Sequence, residues 1–160
     1  MKKIIKFLLV SLCLMPININ YISATENIEN TDIIESTTVE DLGGGYYLVT
    51  TIEQDNTAIN RASKTTSGSK KVSYKNGNTV LWTVQVNGTF TYTGSSAKCT
   101  SATVGTSCPN KDWKIASQSA SKSGNKAIAK ATGKKYFMGV CIQTIDRTVT
   151  LTCSNNGKLS

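Results

Sequence analysis

One stretch of the chain constrains its fold more than any other, because apolar and polar residues alternate regularly from Thr79 to Thr93. The even-numbered positions read Val, Trp, Val, Val, Gly, Phe, Tyr, and the odd-numbered ones are mostly Thr, Gln and Asn. Since the side chains of a strand alternate between its faces, this predicts one long strand with an apolar and a solvated face. Gly88 interrupts the apolar series and predicts a bulge or bend.

The rest of the chain is expected to supply further strands that cover this apolar face. Turn signals recur at short intervals, β-forming residues are abundant between them, and no segment beyond the N-terminus has sustained helical periodicity. This pattern is typical of an antiparallel β-sandwich. We therefore predict an all-β protein, with immunoglobulin-like topology only as a distant analogy.

Two hairpin registers follow from keeping apolar residues on one face, since a slip of one residue would move every side chain to the other face. A three-residue loop at Asn76–Asn78, with its glycine in the left-handed region, would place Tyr74 opposite Val80. In the last hairpin we expect Ala129 opposite Val149. Small residues there would let another element pack closely.

Residues 1–24 have the layout of a secretory signal peptide. Lys2, Lys3 and Lys6 precede an apolar run, and Ala24 is the expected cleavage site. The run is too short for a membrane-spanning helix, which needs about 20 apolar residues, so no transmembrane span is expected after cleavage. We expect a secreted, extracellular protein that can associate loosely with the cell envelope.

Charge divides the chain into an acidic and a basic part. Residues 25–55 hold eight acids and no lysine or arginine, whereas residues 56–160 hold fifteen basic residues and two acids. The net charge is −8 in the first part and +13 in the second. Such asymmetry suggests an acidic segment beside a basic module. We predict a disordered or linker segment at 25–45 and one basic all-β domain at 46–160.

Four cysteines follow the predicted signal peptide, and an even number in a small exported domain indicates two disulfides. Their spacing lacks the close pairs of a zinc site. Of three possible connectivities, we favour Cys99–Cys153, which links the start of one predicted strand to the end of the last. Such a bridge would stabilise the fold by roughly 2–4 kcal/mol. The second would be Cys108–Cys141, since both residues lie beside turns.

The absence of histidine removes the commonest general base and the commonest metal ligand. In the basic part only Asp112 and Asp146 could serve as an acid–base pair, of the kind that glycosidases place on both sides of the scissile bond. Asp146 falls on the solvated face of the last predicted strand and Asp112 follows a turn, so we interpret them as surface and loop charges. No phosphate-binding glycine loop is present. We predict no enzyme activity and no cofactor.

The remaining functional signal is cationic, and its candidate surface residues are Lys126, Lys130, Lys134, Lys135, Tyr136 and Phe137. Lysines beside an aromatic, apolar tip would suit an anionic wall polymer or a membrane surface. Alternatively, the tip is part of the core and the lysines keep edge strands soluble. No recognition motif indicates nucleic acid.

Six short pieces carry a resemblance to known sequences: Arg61–Ser63, Leu81–Val84, Thr89–Tyr92, Lys98–Cys99, Ser121–Asn125 and Thr148–Cys153. In these pieces the chain resembles an uncharacterised family of small secreted β-rich proteins from Gram-positive, clostridial-type bacteria. The resemblance implies a secreted β domain and transfers no active site. It also implies that Cys99 and Cys153 are the shared cysteines, whereas Cys108 and Cys141 are additions in this chain.

The sequence leaves three functions open. The first is a non-enzymatic secreted β-sandwich that binds an anionic component of the cell envelope. The second is a membrane-active or antimicrobial protein whose acidic segment masks the basic module until it is removed. The third is a purely structural extracellular protein. The ligand and the oligomeric state do not follow from the sequence.

Overall fold

Eight antiparallel strands form two sheets in this computed structural model, which describes residues 33–55 and 64–160. The first sheet has five strands in chain order: β1 (Ile33–Gly43), β2 (Tyr46–Asp55), β3 (Lys64–Asn76), β4 (Thr79–Tyr92) and β5 (Ala97–Ser107). The second has three, also in chain order: β6 (Trp113–Ser123), β7 (Lys126–Phe137) and β8 (Val140–Thr152). The sheets pack together around one core, which confirms the predicted all-β antiparallel sandwich.

The core lies along β4, the strand with the strongest alternation in the sequence. Four of its side chains are almost fully buried: Trp82, Val84, Val86 and Phe90. At Gly88 the second sheet comes very close, because a Cβ there would lie 2.9 Å from the Cβ of Ala127. The bulge predicted at Gly88 is not formed by β4, which pairs residue by residue with β3 there. The nearby register shift between Thr89 and Phe90 has its extra residue, Thr100, on β5.

Strand β7 faces β4 with small residues. Its buried inner positions are Ala127, Ala129, Ala131 and Gly133. Because these residues extend no further than a Cβ, the two sheets approach closely, and the ring of Trp82 lies directly over Gly133. Ala129 pairs with Val149, which confirms the register predicted for the last hairpin.

The register predicted for the β3–β4 hairpin was wrong. Its turn has two residues and begins at Gly77, whose φ of 53° is positive as predicted. A β-bulge then places Tyr74 opposite Trp82 instead of Val80. The extra residue, Leu81, is buried as well. The apolar faces still match, because the bulge restores the alternation that a two-residue turn alone would break.

The first sheet extends further toward the N-terminus than the sequence indicated. Strand β1 lies within the segment predicted to be disordered, so that prediction was wrong for residues 33–43. The strand pairs with β2 along its length, and the hydroxyls of Thr37 and Thr51 lie 3.4 Å apart. Its β-branched Ile, Thr and Val residues favour an extended backbone. The predicted signal peptide and residues 25–32 lie outside the described residues.

The chain after β8 folds back onto the edge of the core. Leu159 pairs with Cys153 in an isolated antiparallel bridge, and its side chain is buried. Gln54 on β2 holds this segment, since its side-chain oxygen accepts from the Leu159 N–H at 2.9 Å. Its amide also donates to the Gly157 carbonyl at 2.8 Å. The buried side chain of Gln54 therefore ties the C-terminal segment to β2, while backbone hydrogen bonds between Ser160 and Thr152 tie it to β8.

Candidate functional site

Three lysines of β7 point away from the core: Lys126, Lys130 and Lys134. They lie on the opposite face from the buried alanines, since successive side chains of a strand alternate. Because they recur every four residues, their Cα atoms are about 13 Å apart. No residue of β7 is acidic. The outer surface of the second sheet therefore carries a straight row of positive charge.

Hydroxyl side chains occupy five of the six cross-strand positions beside this row. In order along β7, the cross-strand neighbours of the three lysines are Ser123 and Thr152, Ser119 and Thr148, and Lys114 and Thr144. We call this surface, with its four lysines and its serines and threonines, the basic face. Like charges directly opposite each other destabilise a sheet, so the pairing of Lys114 with Lys134 is not explained by fold stability.

A groove of about 420 Å³ crosses the basic face at Lys130. In it the Ser117 hydroxyl lies 3.0 Å from the Thr132 hydroxyl, which donates to a carboxylate oxygen of Asp146 at 2.6 Å. The negative charge of Asp146 is thus already engaged by a hydroxyl of the same surface. The groove offers a ligand the ammonium of Lys130 and several hydroxyls.

Four of the six predicted surface residues meet on this face: Lys126, Lys130, Lys134 and Tyr136. Tyr136 is held there by Lys114, whose ammonium lies 5.4 Å from the centre of its ring, within cation–π range. The sequence prediction missed Lys114. A bulge between Ile115 and Ser117 places it opposite Lys134, and only that register could have revealed it.

The other two predicted residues lie elsewhere. Lys135 pairs with Trp113 and lines a separate cavity of about 290 Å³ together with Asp112. Phe137 is exposed at the end of the β7–β8 hairpin. Lys135 and Phe137 therefore do not share the basic face with the other four candidate residues, because alternation turns Lys135 inward and Phe137 lies at the exposed end of the hairpin.

The predicted disulfides are absent from the structure, because Cys99, Cys108, Cys141 and Cys153 are free thiols. The thiol of Cys108 faces the Leu81 carbonyl at 3.7 Å. The exposed thiol of Cys141 faces the Gln143 carbonyl at 3.6 Å. These two thiols contact different parts of the chain, and no bridge joins them.

Cys99 and Cys153 are both buried, on the two sides of the β6–β7 turn. The Cys99 N–H donates to the Gly124 carbonyl at 2.8 Å, and the Cys153 N–H donates to the Asn125 carbonyl at 3.0 Å. Burial raises the pKa of the Cys99 thiol, although the charge of Lys122 opposes the shift. Burial also raises the pKa of Cys153, and the neighbouring Cys99 raises it further. The two thiols are therefore neighbours that stay protonated at neutral pH.

The two acids considered as a catalytic pair are separated along β7. Asp146 lies opposite Thr132, whereas the backbone carbonyl of Asp112 accepts from the N–H of Tyr136. Thr132 and Tyr136 are four residues apart, so these two neighbours of the acids lie about 13 Å apart along the strand. A cavity of about 590 Å³, larger than the groove at Lys130, lies at the C-terminal segment. Its ionisable side chains are Asp55, Tyr92 and Lys158.

Comparisons with known protein families, with curated proteins and with solved structures found no match to this chain. Within residues 33–55 and 64–160 there is no helix long and apolar enough to span a bilayer. The same residues hold no group of three or more cysteine or acidic side chains arranged to bind a metal ion.

Proposed function

We propose that this protein is a secreted, non-enzymatic β-sandwich that binds an anionic polymer of the cell envelope through the basic face. The observation that carries the proposal is the row of three β7 lysines with hydroxyl neighbours. A strand surface presents these charges in a line about 13 Å apart. A linear polymer with repeated anionic groups can engage all of them together, whereas a small ligand reaches only one.

Such binding depends strongly on salt. Exposed ion pairs each contribute about 0.2–1 kcal/mol, so affinity comes from several weak contacts along the polymer. Salt screens charges beyond about 8 Å at physiological ionic strength. The hydroxyls beside each lysine add hydrogen bonds to phosphate or sugar oxygens, which salt weakens less.

The position of the acidic residues favours polymer binding over a masked membrane-active protein. Strands β1 and β2 contain Glu35, Glu40, Asp41, Glu53 and Asp55. Both strands belong to the first sheet, whereas the basic face is the outer surface of the second. Folded in this way, the acids of these strands do not cover the lysines of β7.

The test is co-sedimentation of the protein with Gram-positive cell walls, with and without teichoic acid, at low and high salt. We expect binding that requires the polymer and weakens as salt rises. Replacing Lys126, Lys130 and Lys134 with glutamine should weaken it about tenfold, because three weak contacts are lost.

The matched control replaces three exposed lysines outside the basic face, Lys64, Lys98 and Lys111, with glutamine. Both variants lose the same net charge, so a difference between them isolates the arrangement of the basic face. Equal losses would show that net charge alone attracts the polymer. No binding at low salt would leave a purely structural extracellular protein.

Export would also expose the thiols to an oxidising environment, and we expect Cys99 and Cys153 to join there. Oxidised glutathione should convert the two thiols to a disulfide and release two molecules of reduced glutathione. Mass spectrometry of unreduced peptides should find this bridge, with Cys108 and Cys141 alkylatable in unfolded protein. A disulfide-linked peptide that joins Cys99 or Cys153 to Cys108 or Cys141 would contradict the proximity of Cys99 to Cys153.

A further inference from the structure

The tip of the β7–β8 hairpin exposes a cluster of large apolar side chains. Their exposed fractions are 63% for Phe137, 89% for Met138, 64% for Val140 and 56% for Ile142. The other hairpins with two-residue turns close with Gly44-Gly45, Gly77-Asn78 and Gly124-Asn125. The β7–β8 turn therefore differs from the other three in having a large apolar residue, Met138. An exposed apolar cluster of this kind is typical of an interaction site rather than of ordinary soluble surface.

The backbone conformation of this turn is unfavourable for Met138, the apolar residue at its first central position. Met138 and Gly139 both have positive φ, 48° and 82°, and no other non-glycine residue of the described chain does. A turn with two positive φ values favours Asn-Gly or Gly-Gly, because a larger side chain is strained there. Methionine gains no burial in return, so the fold of this chain gives no reason for it.

Cationic side chains surround the base of the tip. Lys134 pairs with Lys114, Lys135 pairs with Trp113, and the Lys114 ammonium lies over the ring of Tyr136. Two acids lie near this collar of Lys114, Lys134 and Lys135: Asp112 lines a cavity together with Lys135, and Asp146 pairs with Thr132, two residues before Lys134. Apolar side chains beyond a belt of lysines and an aromatic ring have the order expected where a protein enters a membrane surface.

We propose that this hairpin inserts its apolar tip into the surface of an anionic lipid bilayer, with the lysine collar at the level of the phosphate headgroups. Met138 lies two residues beyond Tyr136, or about 7 Å along the strand. This length matches the depth of about 5–10 Å at which interfacial elements bury apolar side chains. The lysines complement the negative lipid surface.

This proposal is independent of polymer binding, because it rests on apolar side chains that a polyanion cannot bury. The polymer would bind the row of lysines along β7, whereas the bilayer would bind the end of the β7–β8 hairpin. Lys114 and Lys134 belong to both surfaces, whereas Lys126 and Lys130 belong only to the row. Each function can therefore be removed without the other.

The experiment measures binding to vesicles of phosphatidylglycerol and, separately, of phosphatidylcholine. A tip variant combines Met138→Asn, Val140→Thr and Ile142→Thr, which keeps the turn and strand preferences. We expect it to unfold at an unchanged or higher temperature, to lose at least tenfold in affinity for phosphatidylglycerol, and to bind cell walls normally. The Lys126→Gln, Lys130→Gln variant should lose affinity for cell walls and bind phosphatidylglycerol vesicles normally.

A second measurement reports the tip directly. The variant Phe137→Trp adds an exposed indole, whereas Trp82 and Trp113 are already buried. Its emission should shift to shorter wavelength, and become protected from an aqueous quencher, only with anionic vesicles. Unchanged vesicle binding by the tip variant would overturn the proposal, because charge alone would then suffice. A shift without vesicles that grows with protein concentration would also overturn it, in favour of a second copy of the chain.

Discussion

Replacing Gly133 with valine should destabilise the protein by about 3 kcal/mol, the upper part of the range for an overpacked core. A Cβ at this position would lie 2.6 Å from Cε2 of Trp82 and 2.8 Å from its Nε1. The indole cannot retreat, because its ring centre lies 6.4 Å from that of Tyr74 and 6.4 Å from that of Trp113. Urea unfolding followed by tryptophan fluorescence measures the change.

The matched control is the same substitution at Gly105 on β5. A Cβ there would meet nothing closer than the Cβ of Gln85, at 4.0 Å, which is an ordinary contact. Since glycine is unfavourable inside a strand, Gly105→Val should leave the free energy of unfolding unchanged or raise it slightly. A loss below about 1 kcal/mol at Gly133, comparable with the effect at Gly105, would contradict the close approach of β7 to Trp82.

Periodicity predicted the parts of the fold that depend on one buried face. The alternation from Thr79 to Thr93 identified β4 as the strand along which the core lies, and the small residues at Ala127 and Ala129 predicted a closely packed partner. These predictions succeed because a strand that is half buried must alternate, whatever its neighbours are. The fold class followed from several such strands separated by turns.

The sequence did not predict the two bulges that changed the register of the β3–β4 hairpin and the membership of the candidate site. The bulge at Leu81 moved Tyr74 opposite Trp82, and the bulge near Ile115 placed Lys114 on the basic face. Each depends on how two strands pack against the other sheet, which local composition does not encode. Without knowledge of the bulge at Leu81, the sequence could not show that the β3–β4 loop has two residues rather than three.

Strand β1 was missed for a different reason. Its acidic residues suggested a solvated segment, since charge and low hydrophobicity are typical of disorder. The strand nevertheless forms because β2 offers an edge with unpaired backbone groups, and the hydrogen bonds along this edge do not require apolar side chains. The acids of β1 remain exposed in the folded sheet, which is compatible with an edge strand.

Replacing Gln54 with leucine should destabilise the protein by about 2–4 kcal/mol, because two buried backbone groups lose their partners. Gln54 is 8% exposed, and its side chain bonds the Gly157 carbonyl and the Leu159 N–H. Leucine has a similar volume but no polar atom, so the cost comes from desolvated groups rather than from a cavity. Thermal or urea unfolding measures it.

The same substitution should release the C-terminal segment before the sandwich unfolds. Hydrogen exchange of residues 154–160 should accelerate more than that of β4, since Gln54 is the side chain that ties this segment to β2. Gln85→Leu is the matched control, because Gln85 bonds Asn87 on the solvated face of β4, where water can replace the contact. If both variants lose the same stability, the amide of Gln54 is not what holds the C-terminal segment. A larger loss at Gln54, with exchange confined to the segment, would show that a buried amide and Leu159 together close this end of the core.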